Sequence, residues 1–226
     1  MITLFHCVSA RSFRPLWTME ELGMRHGTHY ELRMLPFPPR VHQREYLSVN
    51  PLGTVPAFFD GEVKMTESAA IAQYLVTKYG PSRLAVAPDE PAYGAWLNWL
   101  HYGEATLTFP QTLVLRYRHM EPEERRLPQA AEDYQRWFLA RLRAIDAALA
   151  GTEYLCAGRF TAADMSVGYA LMLAEYLELQ EQFPPAVRAY WERLKQREGY
   201  RRALEAQEHA AGTQGVSTVP APLAWR

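Results

Sequence analysis

The segment VSARSFRP, residues 8–15, places two serine hydroxyls and a guanidinium, Ser9, Ser12 and Arg11, between an apolar run and a helix-like one. A hydroxyl or cationic donor at a helix start can stabilise a neighbouring anion, helped by the positive end of the helix dipole. A second stretch of this kind is TES, residues 66–68, at the head of SAAIAQYL. Unpaired N–H groups at a helix N-terminus hold carboxylates, which makes Glu67 and Ser68 candidates for binding a charged ligand. The alternative is structural: Thr66 caps the helix and Glu67 favours its first turn. Between the two stretches, TVPAFFDG puts Pro56 at the mouth of a strand, where a sheet gives up a backbone donor.

Other chemistries have less support. Cys7 and Cys156 form no C-x-x-C pair, which argues against a dithiol centre or a disulfide framework. Cys7 falls inside an apolar strand and reads as a buried structural thiol. The seven histidines are scattered, with no i, i+4 pair, so no metal is expected. The 24 basic and 25 acidic side chains leave a net charge of -1, which gives no general surface for nucleic acid or anionic membrane. No apolar run reaches membrane-spanning length, and MITLFHCVSARSF does not read as a secretory signal, so a cytoplasmic protein is expected.

The elements that must position these residues follow from periodicity. ITLFHCV reads as a buried strand, and a helix runs through Leu16, Met19 and Leu22 to Gly23, with Pro15 tolerated in its first turn. HYELRML, residues 29–35, reads as a second strand, parallel to the first by right-handed crossover. After the proline-rich PFPPR, the strands AFF and VKM flank Asp60-Gly61, a strong hairpin signal. A helix carrying Ile71, Tyr74 and Leu75 on one face follows, which gives β-α-β and then β-β-α. Beyond about residue 80, long helical patterns take over. The expected division is an α/β domain over 1–80, a linker over 81–90, an all-α domain over 91–206 and a mobile tail over 207–226 that includes Trp225. The 91–117 helix is interrupted at Pro110. Thr161 and Asp164 form a variant capping box beside Phe160, expected to be structural.

This order resembles the cytosolic glutathione transferases, whose N-terminal half is thioredoxin-like. The motifs that carry the resemblance are NPLGTVPAFFDG, TESAAIAQYL and FTAADMSVGYAL, and it spans roughly residues 1–206. It implies a cis bond before Pro56, with Val55 pairing its backbone to the cysteinyl unit of glutathione. It also implies Ser68 on the γ-glutamyl carboxylate, Glu67 on the α-amino group, Thr54 near the ligand, and His42 or Gln43 towards the glycyl carboxylate. Serine-type relatives set their thiol activator directly after the first strand. Ser9 matches that position, Ser12 is the second candidate or the helix cap, and Arg11 could add positive charge beside the sulfur. In the helical half, Tyr102, Ala105, Thr106 and Phe109 would line the site for a small hydrophobic electrophile.

The resemblance thus implies a homodimeric transferase with glutathione as co-substrate and no metal. Two alternatives stand beside it: a glutathione-dependent disulfide reductase, and a non-catalytic partner-binding protein of the same fold.

Overall fold

The computed structural model describes residues 1–224. They divide into two compact units: residues 1–82 with 196–221, and residues 83–195 with 222–224.

The first unit is thioredoxin-like, built on a four-stranded mixed sheet of order β2-β1-β3-β4. Strand β1 (Ile2–His6) pairs parallel with β2 (Tyr30–Met34) and antiparallel with β3 (Ala57–Asp60), which turns through Gly61 into β4 (Val63–Met65). The helix expected after β1 is α1 (Phe13–Glu21), whose Phe13, Leu16, Trp17 and Met19 are fully buried. It packs against α3 (Ser68–Lys78). A second apolar cluster gathers Cys7, Tyr46, Val55 and Ala57 with Phe5 and Phe59. Between β2 and β3 lie the short α2 (Pro39–His42) and a 3₁₀ turn, Arg44–Ser48.

The C-terminal boundary differs from the expected one at residue 206. The last long helix of the chain, Glu198–Thr213, belongs to the first unit and lies against α1. Arg197 grips Glu21 with two bonds of 2.7 and 2.8 Å, and Arg202 reaches the Glu20 carboxylate and carbonyl at 3.0 and 2.7 Å. Tyr200 stacks edge-on against Phe13 and Trp17. A cationic partner for each largely buried carboxylate is what lets these charges leave water. Gly215, at φ 66°, ends the helix, with the Val216 N–H returning to the Ala211 carbonyl. Just before it, Gln214 bonds the Met34 N–H and the Leu32 carbonyl, so its amide closes the exposed edge of β2. Trp225 lies outside the described residues.

The second unit is all helical. Its first rod runs through α4 (Tyr93–His101), a π-helical stretch Tyr102–Thr108 and α5 (Phe109–Leu115). The expected break at Pro110 is thus a change of helical register: Pro110 sits in the first turn of α5, where its missing N–H is tolerated. The rod packs on α7 (Ala162–Tyr176), beside α6 (Pro128–Ala148); α8 (Pro185–Lys195) completes the unit, and numbering in chain order makes the helix Glu198–Thr213 of the first unit α9. The capping box forms, with Thr161 Oγ1 accepting from Ala163 N–H and Asp164 Oδ2 accepting from Thr161 N–H. The segment read as a linker is fastened to this unit from Arg83 onward. The Arg159 guanidinium holds the Arg83 and Ala85 carbonyls and Glu90, and Ala162 N–H bonds the Leu84 carbonyl. No helix of the described residues is long and apolar enough to cross a membrane.

Candidate functional site

Sheet register brings the three sequence motifs of the first unit to one end. Because β1 and β3 are antiparallel with Phe5 opposite Ala57, the chain leaving β1 towards Ser9 meets the chain entering β3 from Val55. Because β3 and β4 pair with Phe58 opposite Met65, the chain leaving β4 towards Glu67 emerges at that same end.

At the first motif, Ser9 is buried and its backbone is left-handed, at φ 55°. That conformation is uncommon for a residue with a side chain and costs of order 1 kcal/mol. Gln207, on α9, meets it twice: Gln207 Oε1 accepts from the Ser9 N–H at 2.9 Å, and Gln207 Nε2 donates to Ser9 Oγ at 3.2 Å. The same Oε1 lies 2.9 Å from His6 Nε2, and His6 Nδ1 lies 2.7 Å from Ser12 Oγ. The hydrogens of this network follow by deduction. A backbone N–H only donates, so the amide atom facing it is the oxygen; His6 then carries its hydrogen on Nε2, and bare Nδ1 takes the Ser12 hydroxyl hydrogen. Burial holds His6 down at about 4 against the Gln207 bond, so the ring is neutral at physiological pH.

This settles where the Ser12 side chain points. Ser12 stands at the N-cap position of α1, yet its backbone is already helical and its hydroxyl makes no capping bond. Its hydrogen goes to His6. Arg11 is half-buried in the same loop.

The second motif is braced from below. Thr54 is exposed, and its carbonyl accepts from Tyr46 Oη and Asn50 Nδ2, both at 2.7 Å. Burial pushes the Tyr46 phenol up to about 12, which keeps it a donor. Asn50 Oδ1 also takes the Leu52 N–H, and Gly53 supplies a positive φ of 62° to turn the chain. The Val55-Pro56 bond is cis, and the Val55 N–H and C=O enter no hydrogen bond among the described residues. β3 begins only at Ala57, so these two groups lie outside the ladder.

At the third motif, Glu67 rather than Thr66 occupies the N-cap of α3, and no side chain caps the helix. The Ser68, Ala69 and Ala70 N–H groups accordingly have no partner among the described residues. Glu67 is exposed; Ser68 is buried, and its Oγ accepts from Arg14 Nη1 at 2.9 Å. Arg14, on α1, is fully buried, so a cation stands beneath the open end of α3. His42 is exposed in the last turn of α2 and Gln43 follows it, half-buried.

Comparison with known proteins decides the family. Residues 1–77 match the profile described as glutathione S-transferase, N-terminal domain. Glutathione S-transferase 3 of Schizosaccharomyces pombe is 30% identical over 185 residues, with 77% of this chain and 75% of the relative covered. The chain belongs to the glutathione S-transferase family. The transferase GstA of Escherichia coli O157:H7 is 30% identical over 169 residues, covering 72% of this chain and 78% of its own. Among solved structures, the glutathione transferase URE2P6 from Phanerochaete chrysosporium, in complex with oxidized glutathione, superposes with a TM-score of 0.77 at 29% identity, covering 90% and 94% of the two chains.

Within this family member, the residues expected on the acceptor side share one rod of the second unit. Tyr102 is half-buried and spends its hydroxyl on the Arg141 carbonyl of α6, at 2.9 Å. Ala105 and Phe109 are exposed, and Thr106 is half-buried. Among the described residues no group of three metal-ligating side chains forms.

Sequence reasoning passed over Arg14, Asn50, Tyr46, His6 and Gln207. A charged residue between Phe13 and Pro15 on an apolar helix was a usable signal for Arg14. Gln207 had none, because it reaches Ser9 across 198 residues of sequence.

Proposed function

We propose that this chain is a glutathione transferase of serine type, in which Ser9 stabilises the glutathione thiolate for attack on a hydrophobic electrophile. The observation that carries the reading is the convergence, at one end of the sheet, of the Ser9 hydroxyl, the unpaired Val55 backbone and the uncapped N-terminus of α3. Each matches one part of glutathione. The Val55 N–H and C=O pair with the cysteinyl unit as an added antiparallel strand. The α3 N-terminus and Ser68 take the γ-glutamyl carboxylate, and exposed Glu67 takes its α-amino group. Pro56 fixes the edge, Thr54 flanks it, and His42 and Gln43 serve the glycyl end. Arg11 adds positive charge near the sulfur.

A free thiol titrates near 8.5, and each unit of lowering asks for about 1.4 kcal/mol of preference for the thiolate. One hydroxyl donor near a helix start supplies an effect of that size. The thiol proton leaves to solvent, sulfur bonds the electrophilic carbon, and the leaving group departs with its electron pair. Tyr102, Ala105, Thr106 and Phe109 are proposed to receive the electrophile. The protein is proposed to act as a homodimer in the cytoplasm, with glutathione as its co-substrate and no metal.

Thiolate absorbance of glutathione, titrated against pH with the protein present, tests the reading. A thiol pKa clearly below the free value supports it, and binding without a shift overturns it. Turnover on an aryl halide exceeding turnover on a disulfide sets transfer above glutathione-dependent disulfide reduction.

A further inference from the structure

We propose that Gln207 is a positioning residue for Ser9, holding the serine so that its hydroxyl serves as a donor to the bound sulfur; this rests on the reading of Ser9 given above. Two features of the contact carry it. First, Ser9 sits in a left-handed conformation that its own chemistry disfavours, and Gln207 Oε1 ties down the N–H of that very residue. Second, Gln207 Nε2 donates to Ser9 Oγ. A serine hydroxyl has one hydrogen and two lone pairs. Occupying a lone pair with a fixed amide donor turns the hydroxyl hydrogen away from the amide, so Ser9 approaches an anion as a donor.

The orientation of Gln207 is itself fixed. Its oxygen accepts from both the Ser9 N–H and His6 Nε2–H, and neutral His6 is locked in that tautomer by the Ser12 hydroxyl on Nδ1. A flipped amide would set donor against donor at Ser9. His6, Ser9, Ser12 and Gln207 are all buried, so water does not substitute readily for any member. On the other flank, α9 is clamped to α1 by the Arg197–Glu21 and Arg202–Glu20 pairs, so the helix bearing Gln207 has a fixed register. The final helix of the first unit thus reaches back to set the geometry of a loop at its beginning.

A double-mutant cycle read as the thiol pKa of bound glutathione tests this. Ser9→Ala and Gln207→Met are each expected to raise that pKa by about one pH unit, a roughly tenfold loss of thiolate at fixed pH. The double variant is expected to equal Ser9→Ala alone, because Gln207 acts through Ser9. Gln207→Glu gives a second test if the Met variant folds poorly. Its carboxylate still accepts from the Ser9 N–H and from His6, but takes the Ser9 hydroxyl hydrogen, so the thiol pKa rises. The same substitution made in the Ser9→Ala background measures the effect of the added charge alone.

An unchanged pKa in Gln207→Met, with a raised one in Ser9→Ala, overturns the inference and leaves the serine assignment standing. Additive effects also overturn it. An unchanged pKa in Ser9→Ala removes the reading on which the inference rests.

Discussion

Three serines are candidates for touching glutathione, and what each hydroxyl already does separates them. Ser12 gives its hydrogen to His6 Nδ1 and reaches Ser9 only through His6 and Gln207, so Ser12→Ala is expected to raise the thiol pKa of bound glutathione less than Ser9→Ala does. It removes a buried hydrogen bond and should lower stability by about 1 kcal/mol, read by urea denaturation. A rise in thiol pKa as large as that of Ser9→Ala, and additive with it in the double variant, would return Ser12 to the chemistry. Ser68 accepts from the Arg14 guanidinium, which leaves its hydrogen for an incoming carboxylate and puts a full positive charge behind it. Arg14→Lys keeps the charge but loses the planar fork. The expected result is a KM for glutathione raised about tenfold, with the thiol pKa unmoved, since the γ-glutamyl end is disturbed and the sulfur end is not. A shift of the pKa without a change of KM would place Arg14 at the wrong end of the ligand.

At the scale of elements, the second unit depends on two small features. Asp164 was legible as half of a capping box, but the structure loads it further: besides Thr161 N–H, it accepts from Leu155 N–H at 3.1 Å and Tyr190 Oη at 2.8 Å. Asp164→Ala orphans these buried donors, so the loss of stability is expected to reach about 3 kcal/mol rather than the 1 typical of a cap. A loss near 1 kcal/mol in denaturant titration would mean the other donors find water. Gly103 lets the first rod approach α7, for a Cβ there would lie 2.5 Å from the Ser166 backbone. Gly103→Ala is expected to lower the melting temperature by several degrees, a cost of about 2 kcal/mol from overpacking; an unchanged melting curve would show that the rod simply shifts. Local signals made β-α-β-β-α, the Asp60-Gly61 hairpin and the Thr161 cap readable, because each depends on residues within a few positions of one another. The helical patterns read as far as residue 206 could not say which unit the last of them joins. That choice lies in Arg197, Tyr200 and Arg202 meeting Glu21, Phe13, Trp17 and Glu20, pairs separated by nearly the whole chain. Gln207 was out of reach for the same reason.

At the scale of the whole molecule, each unit buries a group whose titration is moved by burial, and the two shifts have opposite signs. In the first unit, burial holds His6 at about 4, below its ordinary 6.5. Between these values the unfolded chain binds a proton that the folded one does not, so stability is full above pH 6.5 and falls as pH drops towards 4, by up to about 3 kcal/mol. In the second unit, burial pushes Asp164 up to about 6 from its ordinary 3.8, against the pull of its hydrogen-bond donors. There the folded state holds the proton that the unfolded chain has released, so stability rises as pH falls from 6 towards 3.8, by a similar amount. A global melting curve sums the two and is expected to look nearly flat between pH 6.5 and 4.5. Hydrogen exchange resolved by segment, corrected for the intrinsic pH dependence of exchange, separates them. Amides of β1 and α1 should lose protection over that range while those of α7 hold or gain it. Replacing His6 with a residue that does not titrate should abolish the first trend and leave the second. A parallel fall in both units of the wild type would rule out His6 and Asp164 as the groups that govern its acid response.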